Sequence, residues 1–340
     1  MIRRKLMNLA VALGTLLSLG ATAPSAFAEA KTIRVSHGYG LLYLPLMVMR
    51  DQNLIEKHSR AMGLGDVTVN WAVLDGGNVI NDAMLAGSLD IAGTGAPGFI
   101  GLWAKARGIP NSEVVGLSAL STSPIAVNTN NPSIKTLKDF GPKDKIAVPG
   151  IKSSVTAVIL QMLVAHEFGM EDYDKLDPLT VSLSHPEATA SLLSGKTEIN
   201  AHVASPPFLY QELADPKIHK VIGSNEVLGN ITIDVVFASK RFVDANPKLT
   251  AAFLAAQEEA NTLIAGNRKT AAEIFVKVAK VKSTQADIEK MLDDKNTEFT
   301  TTPTGIMEYV LFMSKAGTIK TKPAVWSDAF VPALKTKKGS

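Results

Sequence analysis

Short apolar runs alternate with amphipathic stretches along most of the chain, the pattern of βαβ units in a largely parallel sheet. Lys31 to His37 (KTIRVSH) predicts a first strand, and Pro45 to Glu56 a helix. Val67 to Leu74 predicts a second strand, after which Asp75-Gly76-Gly77-Asn78 opens a helix. Val79, Ile80, Ala83 and Met84 share one face of that helix, which stops at Gly87. Leu89 to Gly93 is a third strand running into the Gly-rich turn Thr94 to Gly98.

A similar series then returns. Lys145 to Val148 reads as a strand, Gly150 to Ser154 as a turn and Val155 to Phe168 as an apolar helix. Leu179 to Leu183 is a further strand, and Ser184-His185-Pro186-Glu187 has a capping serine with proline in the first turn. That helix ends at Gly195, and Glu198 to Val203 follows as a strand. The two series align at a constant offset of 108, which sets Gly87 on Gly195, Asp90 on Glu198, Ile91 on Ile199 and Thr94 on His202. Two α/β lobes of like topology are expected. Pro124 to Asn128 and Ile233 to Ala238 are the expected crossing points between them. Helices are expected from Asn246-Pro247 to Ile264, over Lys269 to Ala279, Thr284 to Leu292 and Thr304 to Lys315, before a frayed polar tail, Lys335 to Ser340.

The first 28 residues stand apart from this pattern. Arg3, Arg4 and Lys5 precede an apolar run from Leu9 to Leu19, and Ala26-Phe27-Ala28 places small residues where a signal peptidase inspects the chain. Cleavage before Glu29 is expected. The whole chain carries 35 Lys and Arg against 32 Asp and Glu. The three basic residues of the leader account for the difference, so no net field favours nucleic acid or an anionic membrane. With zero cysteines, thiol catalysis, disulfides and an acylated lipobox are excluded. An exported, unanchored periplasmic protein is the expectation.

Gly93-x-Gly95-x-x-Gly98 formally matches a dinucleotide fingerprint, but Pro97 lies within it and the context is wrong. The glycines read better as points where backbone N–H groups approach a ligand at a helix start. No nucleophile elbow, Walker loop or metal spacing among the six histidines occurs, and no metal or cofactor is expected. Ligands of open parallel sheets bind outside the strand C-termini. His37, Asp75, Thr94, Ser153, Ser154 and His202 lie at such ends and are expected to converge on one cleft. Tyr39 and Tyr43, in the loop after the first strand, are candidates for its walls. No arginine falls at a strand tip, so an anionic cargo would depend on the helix starts at Gly76–Asn78, Gly95–Gly98 and Ser153–Ser154.

The leader, Tyr43-x-Pro45-x-x-Val48, Leu85-x-Gly87-x-Leu89-Asp90-Ile91-Ala92, Gly93-Thr94-Gly95, Pro303-x-Gly305-Ile306 and Ala324 to Phe330 occur in that order. Together they resemble the nitrate/sulfonate/taurine-type substrate-binding proteins of ABC importers. The resemblance implies a two-lobed α/β periplasmic binding protein fold, type II-like, with two crossover hinge strands. Residues 29–122 and 234–340 would form one lobe and 123–233 the other. It implies hinge closure over a small-molecule ligand and handover, by a monomer, to an inner-membrane permease with a cytoplasmic ATPase. Carried onto matching positions, the ligand loops are His37–Tyr43, Asp75–Asn78, Thr94–Pro97, Ser121–Ser123, Gly150–Ser154 and His202–Pro206. This adds Gly76, Gly95, Ser121, Ser123 and Ser205 to the candidates, with Asp234 on the second crossover strand. A small organic anion or zwitterion such as a sulfonate or taurine is the leading cargo. Alternatives are a heteroaromatic solute such as a pyrimidine precursor, a ligand-presenting sensor, and a periplasmic hydrolase using His37 or His202.

Overall fold

The structure, a computed structural model, describes residues 28–340. The leader expected over residues 1–28 lies, but for Ala28, outside the described residues. The chain begins with β1 (Thr32–His37), α1 (Leu44–Asp51) and α2 (Leu54–Ala61). Next come β2 (Thr68–Val73), α3 (Gly77–Leu85), β3 (Ile91–Gly95), α4 (Ala96–Ala106) and β4 (Val114–Thr122). It then enters a second sheet with β5 (Ala126–Thr129), β6 (Ile146–Val148), α5 (Val155–Phe168) and β7 (Thr180–Ser182). That part is completed by α6 (His185–Ser194), β8 (Ala201–Ala204), α7 (Phe208–Leu213), β9 (His219–Gly223) and α8 (Ser224–Leu228). The return strand is β10 (Thr232–Ser239), and α9 (Lys240–Ala245), α10 (Pro247–Gly266), α11 (Arg268–Ala279), α12 (Gln285–Leu292) and α13 (Ile306–Lys315) follow.

Two five-stranded sheets result, ordered β2-β1-β3-β10-β4 and β7-β6-β8-β5-β9. The orders are equivalent strand for strand. In each sheet three parallel strands meet an antiparallel one that has just crossed from the other lobe, β10 beside β3 and β5 beside β8. The fold is therefore α/β and two-lobed, with crossings at residues 122–126 and 228–232.

Helices cover both faces of the first sheet, which explains why Val235, Val236 and Phe237 on successive positions of β10 are all buried. Phe99 of α4 packs on Phe237 at 5.6 Å and on Phe330 at 5.4 Å between ring centroids, tying the C-terminal segment to this core. In the second lobe α5 is buried along most of its length, as its nearly unbroken apolar sequence requires.

The structure departs from the sequence reading at several points, among them the short helices α7, α8 and α9, which it did not include. The single helix expected over Pro45 to Glu56 is two, because Asn53 takes a left-handed conformation (φ 50°) that asparagine tolerates. Strands β4 and β9 were not expected. Gly116, Ser118, Ser121 and Thr122 dilute the apolar run of β4, although Gly116 is needed there because the Phe330 ring fills the space a Cβ would take. Ile199 precedes the strand it was placed in, since β8 begins only at Ala201. The tail is docked, not frayed: Ile306 N–H donates to the Ser340 carbonyl at 2.8 Å and Gly305 N–H to its Oγ at 2.9 Å.

Candidate functional site

The loops at the strand C-termini of the two sheets face each other, and a cavity lies between them. Tyr39, Leu42, Tyr43, Asp75, Gly76, Gly77, Ile80, Thr94, Gly95 and Asp234 line it from the first lobe. Pro149, Ser153, Ser154, Val155, Thr156, His185 and Ser205 line it from the second. The free volume is about 30 Å³, room for only a water or two. The lobes thus stand closed.

Glycines make this closure possible. A Cβ on Gly77 would lie 2.7 Å from the Ser153 oxygen, and one on Gly95 would lie 2.6 Å from Val155 Cβ. Direct hydrogen bonds also cross the gap. Leu41 N–H donates to the Pro206 carbonyl at 2.9 Å, and His185 N–H donates to Asp75 Oδ2 at 3.3 Å.

Four helix starts face the space, that of α6 through its first residue, His185. Asp75-Gly76 precedes α3, Gly95 precedes α4, and Ser154 caps α5 by accepting from Ala157 N–H at 3.2 Å. The N–H groups and dipole at a helix start favour negative ligand atoms. Against this, two carboxylates look into the cavity and no lysine or arginine lines it. Asp234 is buried on β10; Tyr43 donates its phenol to Oδ1 at 3.3 Å, and Oδ2 has no hydrogen-bond partner among the described residues. Burial above all, with the Asp75 charge adding to it, pushes the Asp234 carboxyl up to about 7, while the Tyr43 hydrogen bond pulls the other way. Burial likewise raises Asp75, opposed by the backbone N–H groups of His185 and Gly76. Ser153 Oγ is another buried polar atom without a partner among the described residues.

Ten of the sequence candidates meet in this cavity: Tyr39, Tyr43, Asp75, Gly76, Thr94, Gly95, Ser153, Ser154, Ser205 and Asp234. Four do not. His37 turns to the far side of the first strand tip, between Tyr43 and Trp71, and borders a separate, more apolar groove of about 440 Å³. Its Nδ1 bonds the Gly38 carbonyl at 2.9 Å. Ser121 pairs with Asp234 across β4 and β10 but is buried within the sheet. Ser123 bonds Thr297 Oγ1 at 3.1 Å.

His202 is fully buried behind His185, and the register explains why. Ile91 pairs with Val35 and Ala201 with Ile146, so the counterpart of His202 in the first sheet is Ala92, not Thr94. The connection from Gly195 to β8 is two residues longer than that from Gly87 to β3, which puts His202 one side-chain layer deeper. His185, read from sequence only as part of a helix start, reaches the cavity instead. The same rule that selected Asp75 would have found it, because both residues follow a strand and open a helix.

Two sheets, two crossings and a polar cavity between the strand tips of the two lobes define the architecture, and the 440 Å³ groove beside His37 is also walled by both lobes. The model of the NMT1-like family matches residues 28–280. The chain belongs to the NMT1-like family. Among solved structures, the alkanesulfonate-binding protein SsuA of Xanthomonas axonopodis pv. citri, bound to MOPS, superposes with a TM-score of 0.68 at 17% identity, covering 86% of this chain and 96% of that one. The periplasmic nitrate-binding protein NrtA of Synechocystis PCC 6803 gives 0.67 at 16% identity, covering 88% and 84%. A Candida albicans gene product, CA3427, described as having the generic periplasmic binding protein fold, gives 0.64 at 18%, covering 86% and 92%. At these identities the likeness is one of fold. No curated protein matches the chain.

Proposed function

We propose that this chain is the solute-binding component of an ABC importer, working in the periplasm after removal of its leader. In this reading it captures a small polar solute between its lobes and hands it to an inner-membrane permease driven by a cytoplasmic ATPase. The observation that carries the reading is the interlobe cavity, lined from both sheets by helix starts, hydroxyls and carboxylates. Solved structures of like fold are named as binders of sulfonates and nitrate.

The lining narrows the cargo relative to the sequence expectation. A simple anion would face Asp75 and Asp234 with no cationic side chain to offset them. A zwitterion, or a neutral solute with N–H donors, satisfies both the carboxylates of the first lobe and the helix N-terminus of α5 in the second. Taurine fits that description. An amino-substituted heteroaromatic is the second reading, favoured by Tyr39 and Tyr43 on the cavity wall.

A thermal-shift panel of taurine, aliphatic sulfonates, nitrate, amino acids and aminopyrimidines, applied to the chain from Glu29 onward, tests the proposal. A solute at 100 times its Kd stabilises the native state by about 2.7 kcal/mol. Zwitterions or amine-bearing rings should raise the midpoint and nitrate should not. A response to none of the panel, or turnover of generic esters, contradicts the reading.

A further inference from the structure

A buried chain of polar groups runs away from the cavity through the second lobe. His185 Nδ1 lies 2.9 Å from His202 Nε2, and His202 Nδ1 lies 2.5 Å from Glu212 Oε1. Thr189 Oγ1 donates to the same carboxylate oxygen at 2.8 Å, and Asn128 Nδ2 donates to Oε2 at 2.9 Å. Glu212 and His202 are wholly buried, and the His185 ring is stacked on Phe208 at 5.5 Å. None of this depth is needed to fill the lobe; apolar side chains would do that at less cost.

Glu212 receives three donors on two oxygens, the environment of an ionised carboxylate. Among the described residues its ion-pair partner is His202 alone. A buried carboxylate without a counter-charge is strongly disfavoured, so the proton belongs on His202, which then donates from both ring nitrogens. His202 Nε2–H points at His185 Nδ1, which must accept. His185 is held neutral, by burial first and by the adjacent His202 charge second. Its one ring N–H therefore sits on Nε2, 3.5 Å from the Oγ of Ser205, a residue of the cavity wall.

We infer that Glu212 and His202 are positioning residues that lock His185 as the Nε2–H tautomer, so that the second lobe presents a fixed hydrogen-bond donor to the solute. The first lobe offers acceptors in Asp75 and Asp234; the second offers this imidazole N–H. The solute then carries an N–H or ammonium group toward Asp234 and an acceptor, such as a sulfonate, carboxylate or ring nitrogen, toward His185. This half rests on the solute-binding reading above. The same tautomer has a chemical consequence: with its Nε2 lone pair used by a proton, His185 cannot deprotonate Ser205. The serine and imidazole form a binding wall and not a nucleophile–base pair.

Long-range ¹H–¹⁵N correlation spectra of histidine-labelled, solute-free protein at pH 7.5 test the relay without any ligand. The expected result is a neutral His185 with protonated Nε2 and bare Nδ1, beside a doubly protonated His202. A neutral His202, or a His185 carrying its proton on Nδ1, overturns the inference. In Glu212→Gln the charge that holds the second proton is gone, and His202 should become neutral with the proton of His185 moving to Nδ1; an unchanged pattern also overturns it. Should that variant not fold, the unsubstituted spectrum still decides. The solute half is read by His185→Phe in the thermal-shift panel. At least a tenfold loss of apparent affinity is expected for any solute that shifts the unsubstituted chain, and full retention overturns it. A chain that responds to no solute removes the parent reading, and this half with it, while leaving the relay to stand on its spectrum.

Discussion

An alanine Cβ at Gly77 would stand 2.7 Å from the backbone oxygen of Ser153, a residue of the opposite lobe. Gly77 lies in the first turn of α3 without a left-handed backbone, so nothing in its own lobe demands glycine. The demand comes from the approach of the second lobe.

Gly77→Ala should therefore leave the fold intact and hold the cleft apart. The radius of gyration in solution should rise, and the midpoint gain produced by an effective solute should fall. Unchanged scattering together with an unchanged midpoint gain would show that the lobes do not meet at this point.

Asp234 gives a pH prediction whose sign follows from its raised pKa of about 7. Between about pH 4 and pH 7 the native state holds a proton that the unfolded chain has lost, so this group makes stability fall as pH rises through that window. His185, lowered by burial, acts in the opposite sense, losing stability as pH falls below its ordinary 6.5. Comparison with Asp234→Asn separates the two. At pH 8 the variant should be more stable than the parent by on the order of 1–3 kcal/mol, with the difference closing toward pH 4. Denaturant melts across the range measure it. A difference independent of pH contradicts the burial of a titrating carboxyl.

Phe99 joins α4, β10 and the C-terminal segment through its contacts with Phe237 and Phe330. Phe99→Ala should cost about 3–5 kcal/mol of stability, the usual range for emptying a buried aromatic position. By contrast Arg34→Ala removes a half-exposed pair with Asp90 and should cost about 1 kcal/mol or less. Equal losses in chemical unfolding would contradict the core described for the first lobe.

Much of this architecture was legible because two strong local signals coincide. Apolar runs such as Ile233 to Ala238 mark buried strands, and Gly87 and Gly195, both left-handed, stop helices that must turn back to the sheet. The cavity positions of Asp75, Thr94, Ser153 and Ser154 follow from the same logic, since a strand end followed by a helix start is a place and not a composition.

What stayed hidden depends on longer-range geometry. Two extra residues before β8 moved His202 back from the rim, and a repeat aligned by residue likeness does not register such an insertion. Val155 and Thr156 open an apolar helix and read as the start of its packing face, yet the approach of the opposite lobe makes them cavity wall. Ser123 and Thr297, 174 residues apart, bond only because the last helices return to the first crossing. The docking of Ser340 depends likewise on a distant partner, the turn at Pro303 to Ile306.

In the proposed mode of binding one solute is gripped from both lobes at once. Amide hydrogen exchange with the best panel solute reads this directly, through segments 74–80 of the first lobe and 149–157 of the second. Simultaneous slowing in both segments is predicted, reversed in Asp234→Ala. Slowing confined to one lobe, or to surfaces away from Asp234 and His185, would contradict it.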